Sequence, residues 1–257
     1  MAQRKKPPGK AGAAQPGKAP ASDKVGPFNA GMTTKDGSAY RKRIERATAD
    51  EPKHPRHHGV AMQAHHVISA TAMHASGLAD KIKKFGYNIN ELENLALLPC
   101  TLQGACYLGV QPHRGNHTAP ADPYTYKNDQ QPVDYHKMVT LRIRGLELGL
   151  TKDCPGYMGG AQEVAARHKV RAELDELSAK ILRLIQNSPR QAPLTKVSAH
   201  FQPGDLVGCA GTDSTTLHQS AHKCAVGRDH HKKQGPGQQV ENITYKSDKK
   251  YQLKLGR

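Results

Sequence analysis

The sequence predicts an α+β fold, and three observations carry that prediction. Two short apolar stretches, 60–68 and 94–98, suit strands, the second ending at Pro99. Apolar residues recur at spacings of three and four over 134–149 and 161–187, the mark of helices with one buried face. Apolar residues make up only 36% of the 257, aromatics 5%, and Trp is absent, so a good part of the chain is not expected to enter a core. The chain then divides into a disordered basic arm and linker over 1–58, a folded domain over 59–189 and a small β-rich unit over 190–257.

Taken in order, residues 1–35 are rich in Lys, Gly, Ala and Pro, and Pro7, Pro8, Pro16 and Pro20 break any helix. Residues 39–50 can form a short basic helix before Pro52 and Pro55 interrupt it. His54, His57 and His58 fall in that Pro-rich linker and read as a solvated loop, with order expected from Gly59. The first strand carries His65 and His66. Leu78, Ile82 and Phe85 then sit at helical spacing within 76–85, and Gly86 supplies the stop. After the second strand, a loop containing Gly104 and Gly109 leads to Pro112, which suits the first turn of a short helix carrying His113 and His117. Residues 134–149 put Tyr135, Met138, Val139, Ile143 and Leu146 on one face. In 161–187, Val170, Leu174, Leu177, Ile181 and Leu184 read as a helix laid over the core. Past Pro189, the stretches 242–245 and 251–255 resemble strands around a Ser-Asp-Lys-Lys turn.

The formal net charge of +16 is unevenly spread. Residues 1–58 hold 13 Lys and Arg against 5 Asp and Glu, residues 59–189 hold 14 against 12, and residues 190–257 hold 11 against 5. Two basic flanks around a near-neutral middle make a polyanion the first partner to consider, through counterion release. Solubility or an acidic protein partner is the plainer reading of such tails. Five cysteines, an odd count with no CxxC pair, argue against a disulfide framework and for synthesis in a reducing cytosol. No apolar run follows the charged N-terminus, so no Sec-type signal peptide is expected. No stretch approaches the roughly 18 apolar residues of a membrane span.

The histidines carry the chemistry. At i and i+4, His113 and His117 would share one face of a helix. Adjacent histidines on a strand point to opposite faces, so one of His65 and His66 can join that pair on a metal while its neighbour acts as a base. Three imidazole ligands with an open position is the construction of a catalytic metal site.

Four blocks, in this order, make the pattern specific: Ala64-His65-His66-Val67-Ile68, Lys84 to Asn90, Glu93 to Pro99, and His113-Arg114-Gly115-Asn116-His117 followed by Tyr124. Over roughly residues 59–185 the chain resembles the AHH family, a branch of the HNH nuclease superfamily found often as bacterial polymorphic-toxin and type VI secretion effector domains. The resemblance implies a ββα-metal core, two strands and a helix around one divalent ion, elaborated here by further helices. It implies His65, His113 and His117 as metal ligands and His66 as general base. Asn94 would orient the loop or the ring of His66, and Arg114 would hold a phosphate. A His-only donor set suits Zn²⁺ or Ni²⁺, while Mg²⁺ prefers oxygen, and Mg²⁺ or Mn²⁺ can still serve with water and phosphate oxygens. The implied activity is a metal-dependent, largely sequence-nonspecific endonuclease acting on DNA, or on RNA through the same site. Such a protein is made in the bacterial cytoplasm, delivered by a secretion apparatus into a target cell and neutralised at home by an immunity protein. The rival reading is a non-catalytic nucleic-acid-binding or secretion-adaptor protein with a structural metal.

Other groups carry less. Cys209, His218, His222 and Cys224 form a candidate structural zinc set, although the spacing is not that of a standard finger. Cys100 and Cys106 read as buried or free thiols, and His230-His231 as a solvated basic loop.

Overall fold

The computed structural model describes residues 31–34, 37, 39–113, 133–152, 160–194, 243–247 and 251–257. Strand β1 (Met62–His66) pairs antiparallel with β2 (Leu95–Pro99), placing His65 opposite Ala96 and His66 opposite Leu95. The expected strand 60–68 is shorter because Asn94 takes over where pairing ends. Its carbonyl accepts from Val67 N–H at 2.9 Å, and its side-chain Oδ1 accepts from Ile68 N–H at 2.6 Å. Helices surround this small sheet, as the α+β prediction requires.

The segment before β1 is more ordered than its composition suggests. Helix α1 (Ala39–Ala47) buries Ile44 against Leu95 and Leu97 of β2. The linker histidines, expected in a solvated loop, instead make defined hydrogen bonds within the linker and to Thr48 just past α1. His54 is only 5% exposed, and its Nδ1 accepts from Arg56 N–H at the head of a 3₁₀ turn, Pro55–His58. The rings of His57 and His58 bond the carbonyls of Thr48 and Pro52 at 2.9 and 2.7 Å. Burial, helped by the charge of Arg56, pulls His54 down to about 4, so it stays neutral at physiological pH.

The helix expected over 76–85 is shorter, and another short helix precedes it. Ser69 caps α2 (Ala70–Ala75) by accepting from Ala72 N–H, Gly77 turns the chain at φ +77, and α3 (Ala79–Lys84) follows. The expected loop around Gly104 is helix α4 (Leu102–Leu108), capped by Thr101 and closed by Gly109 at φ +66. Helices α5 (Val133–Arg144) and α6 (Glu147–Lys152) divide the stretch predicted as one helix.

Helix α7 (Ala161–Asn187) buries Val170, Leu174, Leu177, Ile181, Leu182 and Ile185. These meet Ile68, Met73, Ile82, Phe85, Leu98, Tyr135 and Ile143 in the main core. Each fully buried Leu or Ile contributes about 1.5–3 kcal/mol relative to exposure, so this helix is a principal brace of the sheet.

Residues 243–245 and 251–255, expected as strands, form none beyond a single bridge of Leu255 to Ala96; residues 195–242 and 248–250 fall outside the described residues. Along the edge of β2 turned away from β1, Gly256 N–H donates to Leu95 O at 2.7 Å, and Leu97 N–H to Arg257 O at 3.0 Å. Gln186 on α7 clamps the backbone of Tyr251 and Leu253 at 3.1 and 2.6 Å, while Leu253 and Leu255 pack on the main core. Upstream, Thr244 N–H donates to His58 O at 3.0 Å. Removing 251–257 should therefore lower the thermal midpoint by several degrees, for a loss of about 2–4 kcal/mol in apolar contacts and edge hydrogen bonds. A melt of the shortened chain matching the full chain would contradict this. The exposed Arg257–Glu51 pair at 3.2 Å adds little.

Candidate active site around the paired histidines

Strand periodicity sends the adjacent histidines to opposite faces of the sheet. On one face His65 is 1% exposed, with its ring 5.5 Å from Tyr135 of α5 and 4.8 Å from His113. On the other, His66 lies half-buried with its ring centre 4.3 Å from that of Tyr40 on α1.

Hydrogen bonds fix which nitrogen of each ring carries the proton. The Tyr135 hydroxyl donates to Val67 O at 2.6 Å, so its oxygen accepts from His65 Nε2–H at 2.9 Å. His65 then carries its lone pair on Nδ1. Burial raises the Tyr135 phenol well above its ordinary value, which keeps that donor protonated. His113 donates Nδ1–H to Gln63 Oε1 at 3.1 Å, leaving the lone pair on Nε2. Burial, with the nearby charge of His66, lowers His113 to about 4, so the ring is neutral at pH 7, as a metal ligand must be. His66 bonds through Nε2 to Asn90 Oδ1 at 2.8 Å, so its lone pair is on Nδ1.

Asn94, only 1% exposed, grips the turn that follows His66. Its Nδ2 donates to Ile68 O and Ile89 O at 3.0 and 2.8 Å, and its Oδ1 accepts from Ile68 N–H and, at 3.0 Å, from the Ser178 hydroxyl. It reaches the loop and not the His66 ring, which Asn90 holds.

His113 lies outside any helix, and its N–H donates to Pro99 O at 2.7 Å. Arg114 and His117 lie outside the described residues, as do Cys209, His218, His222 and Cys224. Among the described residues no group of three or more His, Cys, Asp or Glu is arranged to hold a metal. Two imidazoles on one tetrahedral ion, with metal–nitrogen bonds near 2.1 Å, hold their ring centres about 5 Å apart. The 4.8 Å between His65 and His113 matches that spacing, and each ring is braced by a hydrogen bond through its other nitrogen. The spacing is compatible with two of the ligands of one divalent ion.

A nuclease family of the HNH/ENDO VII superfamily, with conserved AHH, matches residues 42–154. This segment belongs to the AHH family. Its conserved triplet is Ala64-His65-His66, and the match takes in most of α1 together with both strands, α5 and α6. No curated protein and no solved structure matches the chain. The match supports a nuclease reading of residues 42–154, and a nuclease family implies a nucleic-acid substrate. Tyr40, Asn90 and Tyr135 are site residues that sequence pattern does not reveal, because each meets its histidine only through the tertiary fold. A cavity of about 550 Å³ lies elsewhere, lined by residues including His54, Tyr245, Tyr251 and Arg257, and none of the AHH histidines lines it.

Proposed function

We propose that the AHH segment is a metal-dependent, largely sequence-nonspecific endonuclease that hydrolyses DNA, with His66 as general base. The observation that carries this reading is the unlike bonding of adjacent histidines, His65 braced beside His113 and His66 held apart by Asn90. His65 and His113 would hold one divalent ion, with His117 as the third ligand in sequence. When bound, that ion supplies Lewis-acid stabilisation of charge on the phosphate and on the leaving oxygen. Zn²⁺ or Ni²⁺ suits the donor set, and Mg²⁺ or Mn²⁺ is the alternative.

The protein's own groups do the rest. Through its Nδ1 lone pair His66 removes a proton from the attacking water, a task to which the imidazole group in general is suited at neutral pH. Asn94 fixes the turn beyond His66, and Arg114 would hold a phosphate oxygen. The basic flanks supply nonspecific affinity for the backbone, so cleavage should fall steeply with salt. We propose further that the nuclease is an effector delivered by a secretion apparatus into competing bacteria, and that an acidic immunity protein neutralises it in the producer.

The test is nicking of supercoiled plasmid with Mg²⁺, Mn²⁺, Zn²⁺ or Ni²⁺, against EDTA. Cleavage that requires one of these ions and stops with the chelator supports the reading. Binding without cleavage in every ion overturns it in favour of a nucleic-acid-binding protein, and degradation of RNA alone overturns the choice of DNA.

A further inference from the structure

We propose that residues 31–34, upstream of the matched AHH segment, are a working part of the active site, because they hold the His66 imidazole in one orientation and one tautomer through Asn90. The inference rests on His66 being the general base. A carbonyl oxygen only accepts hydrogen bonds, so Thr34 O, 3.1 Å from Asn90 Nδ2, decides which way that amide faces. With the nitrogen turned to Thr34, the oxygen faces His66 at 2.8 Å and can accept only if Nε2 bears the proton. Nδ1 is then the basic nitrogen.

Asn90's main chain is held by different partners. Its N–H donates to Asn88 Oδ1 at 2.9 Å, and its carbonyl accepts from Arg43 of α1. The side-chain amide, by contrast, is met by Met32 and Thr34. Those residues are docked by backbone pairing. Gly31 N–H donates to Lys83 O, and Met32 N–H to Tyr87 O, each at 2.9 Å, while Ile89 N–H donates to Met32 O at 2.8 Å. The fit is tight at its first residue: a Cβ on Gly31 would stand 2.0 Å from Tyr87 O and 2.6 Å from Tyr87 N, both backbone atoms that cannot swing aside. Seating the segment therefore requires glycine there, and a methyl group should unseat it.

The experiment compares full-length wild type, Gly31→Ala and Asn90→Ala. The first readout is the proton resonance of His66 Nε2–H in metal-free protein, which a held hydrogen bond protects from solvent exchange. The second is kcat and KM for plasmid cleavage. The expected result is a downfield resonance in wild type that is lost in both variants, with kcat lowered about tenfold or more and KM within about twofold. Circular dichroism and the melting midpoint should stay near wild type in Gly31→Ala. A resonance of equal intensity in both variants, or none in wild type, overturns the proposal. A wild type that cuts no nucleic acid would instead overturn the nuclease reading, and the resonance would still decide whether 31–34 holds His66.

Discussion

His66→Ala should lower the single-turnover rate of plasmid nicking by about 10²–10⁴-fold, the usual contribution of a positioned general base. The fold should survive. The side chain is half-buried, and its loss removes one hydrogen bond to Asn90 and the contact with Tyr40, a cost of about 1 kcal/mol. Metal content measured by mass spectrometry should also stay near wild type, because the ligand role falls to the neighbouring ring. His65→Ala and His113→Ala should behave differently, losing metal and activity together. Each also removes a hydrogen bond, to the Tyr135 hydroxyl in the first case and to the Gln63 amide in the second. The contrast is what gives the test its force. Should His66→Ala cut at the wild-type rate, the base assignment fails; should it lose its metal, the division of labour between the two histidines fails.

That the two adjacent histidines face opposite sides of the sheet is legible in the sequence because it depends on local pattern. A His-His pair on a strand must split across the sheet, and the strand itself is announced by apolar spacing. The long helix is equally legible, since Val170, Leu174, Leu177 and Ile181 mark its buried face within a single segment. What local pattern does not show has a common physical cause. Asn90 and Tyr135 meet their histidines across 24 and 70 residues of chain, and no spacing rule relates such pairs. Helix α4 is hidden by Gly104, which reads as a turn residue. Yet a Cβ there would stand 3.0 Å from Val60 Cγ1, so the glycine answers to packing and not to turn geometry. Residues 31–34, the linker histidines and the C-terminal segment share a different concealment. Main-chain groups supply most of the hydrogen bonds that hold them in place. Composition is blind to such bonds, so a Pro- and Lys-rich stretch looks solvated whether or not it is docked.

Asn94→Ala should be the most destabilising single change near the site, by about 3–5 kcal/mol, at the top of the range for point substitutions. The side chain satisfies four buried groups at once: the N–H and carbonyl of Ile68, the carbonyl of Ile89 and the hydroxyl of Ser178. Alanine leaves all four without that partner in a region closed to water, and each buried orphan costs about 1–3 kcal/mol before relaxation. For a domain of this size the melting midpoint should drop by roughly 10 °C or more. Asn94→Asp separates the two sides of the amide. One carboxylate oxygen can still accept from Ile68 N–H and Ser178, but the other then faces two carbonyl oxygens where a donor stood. That repulsion and burial would raise the new carboxyl's pKa above its unfolded value. The folded state would then bind the proton more tightly, and the variant should recover stability as pH falls through that raised value. Alanine has no such group and should show no matching recovery. Melts of metal-free protein across pH therefore read the network directly, apart from any ion. Midpoints within a degree or two of wild type would mean that the turn after His66 is held by its backbone alone. A destabilised Asn94→Ala that still cut at the full rate below its melting point would assign Asn94 to the fold and remove it from the chemistry.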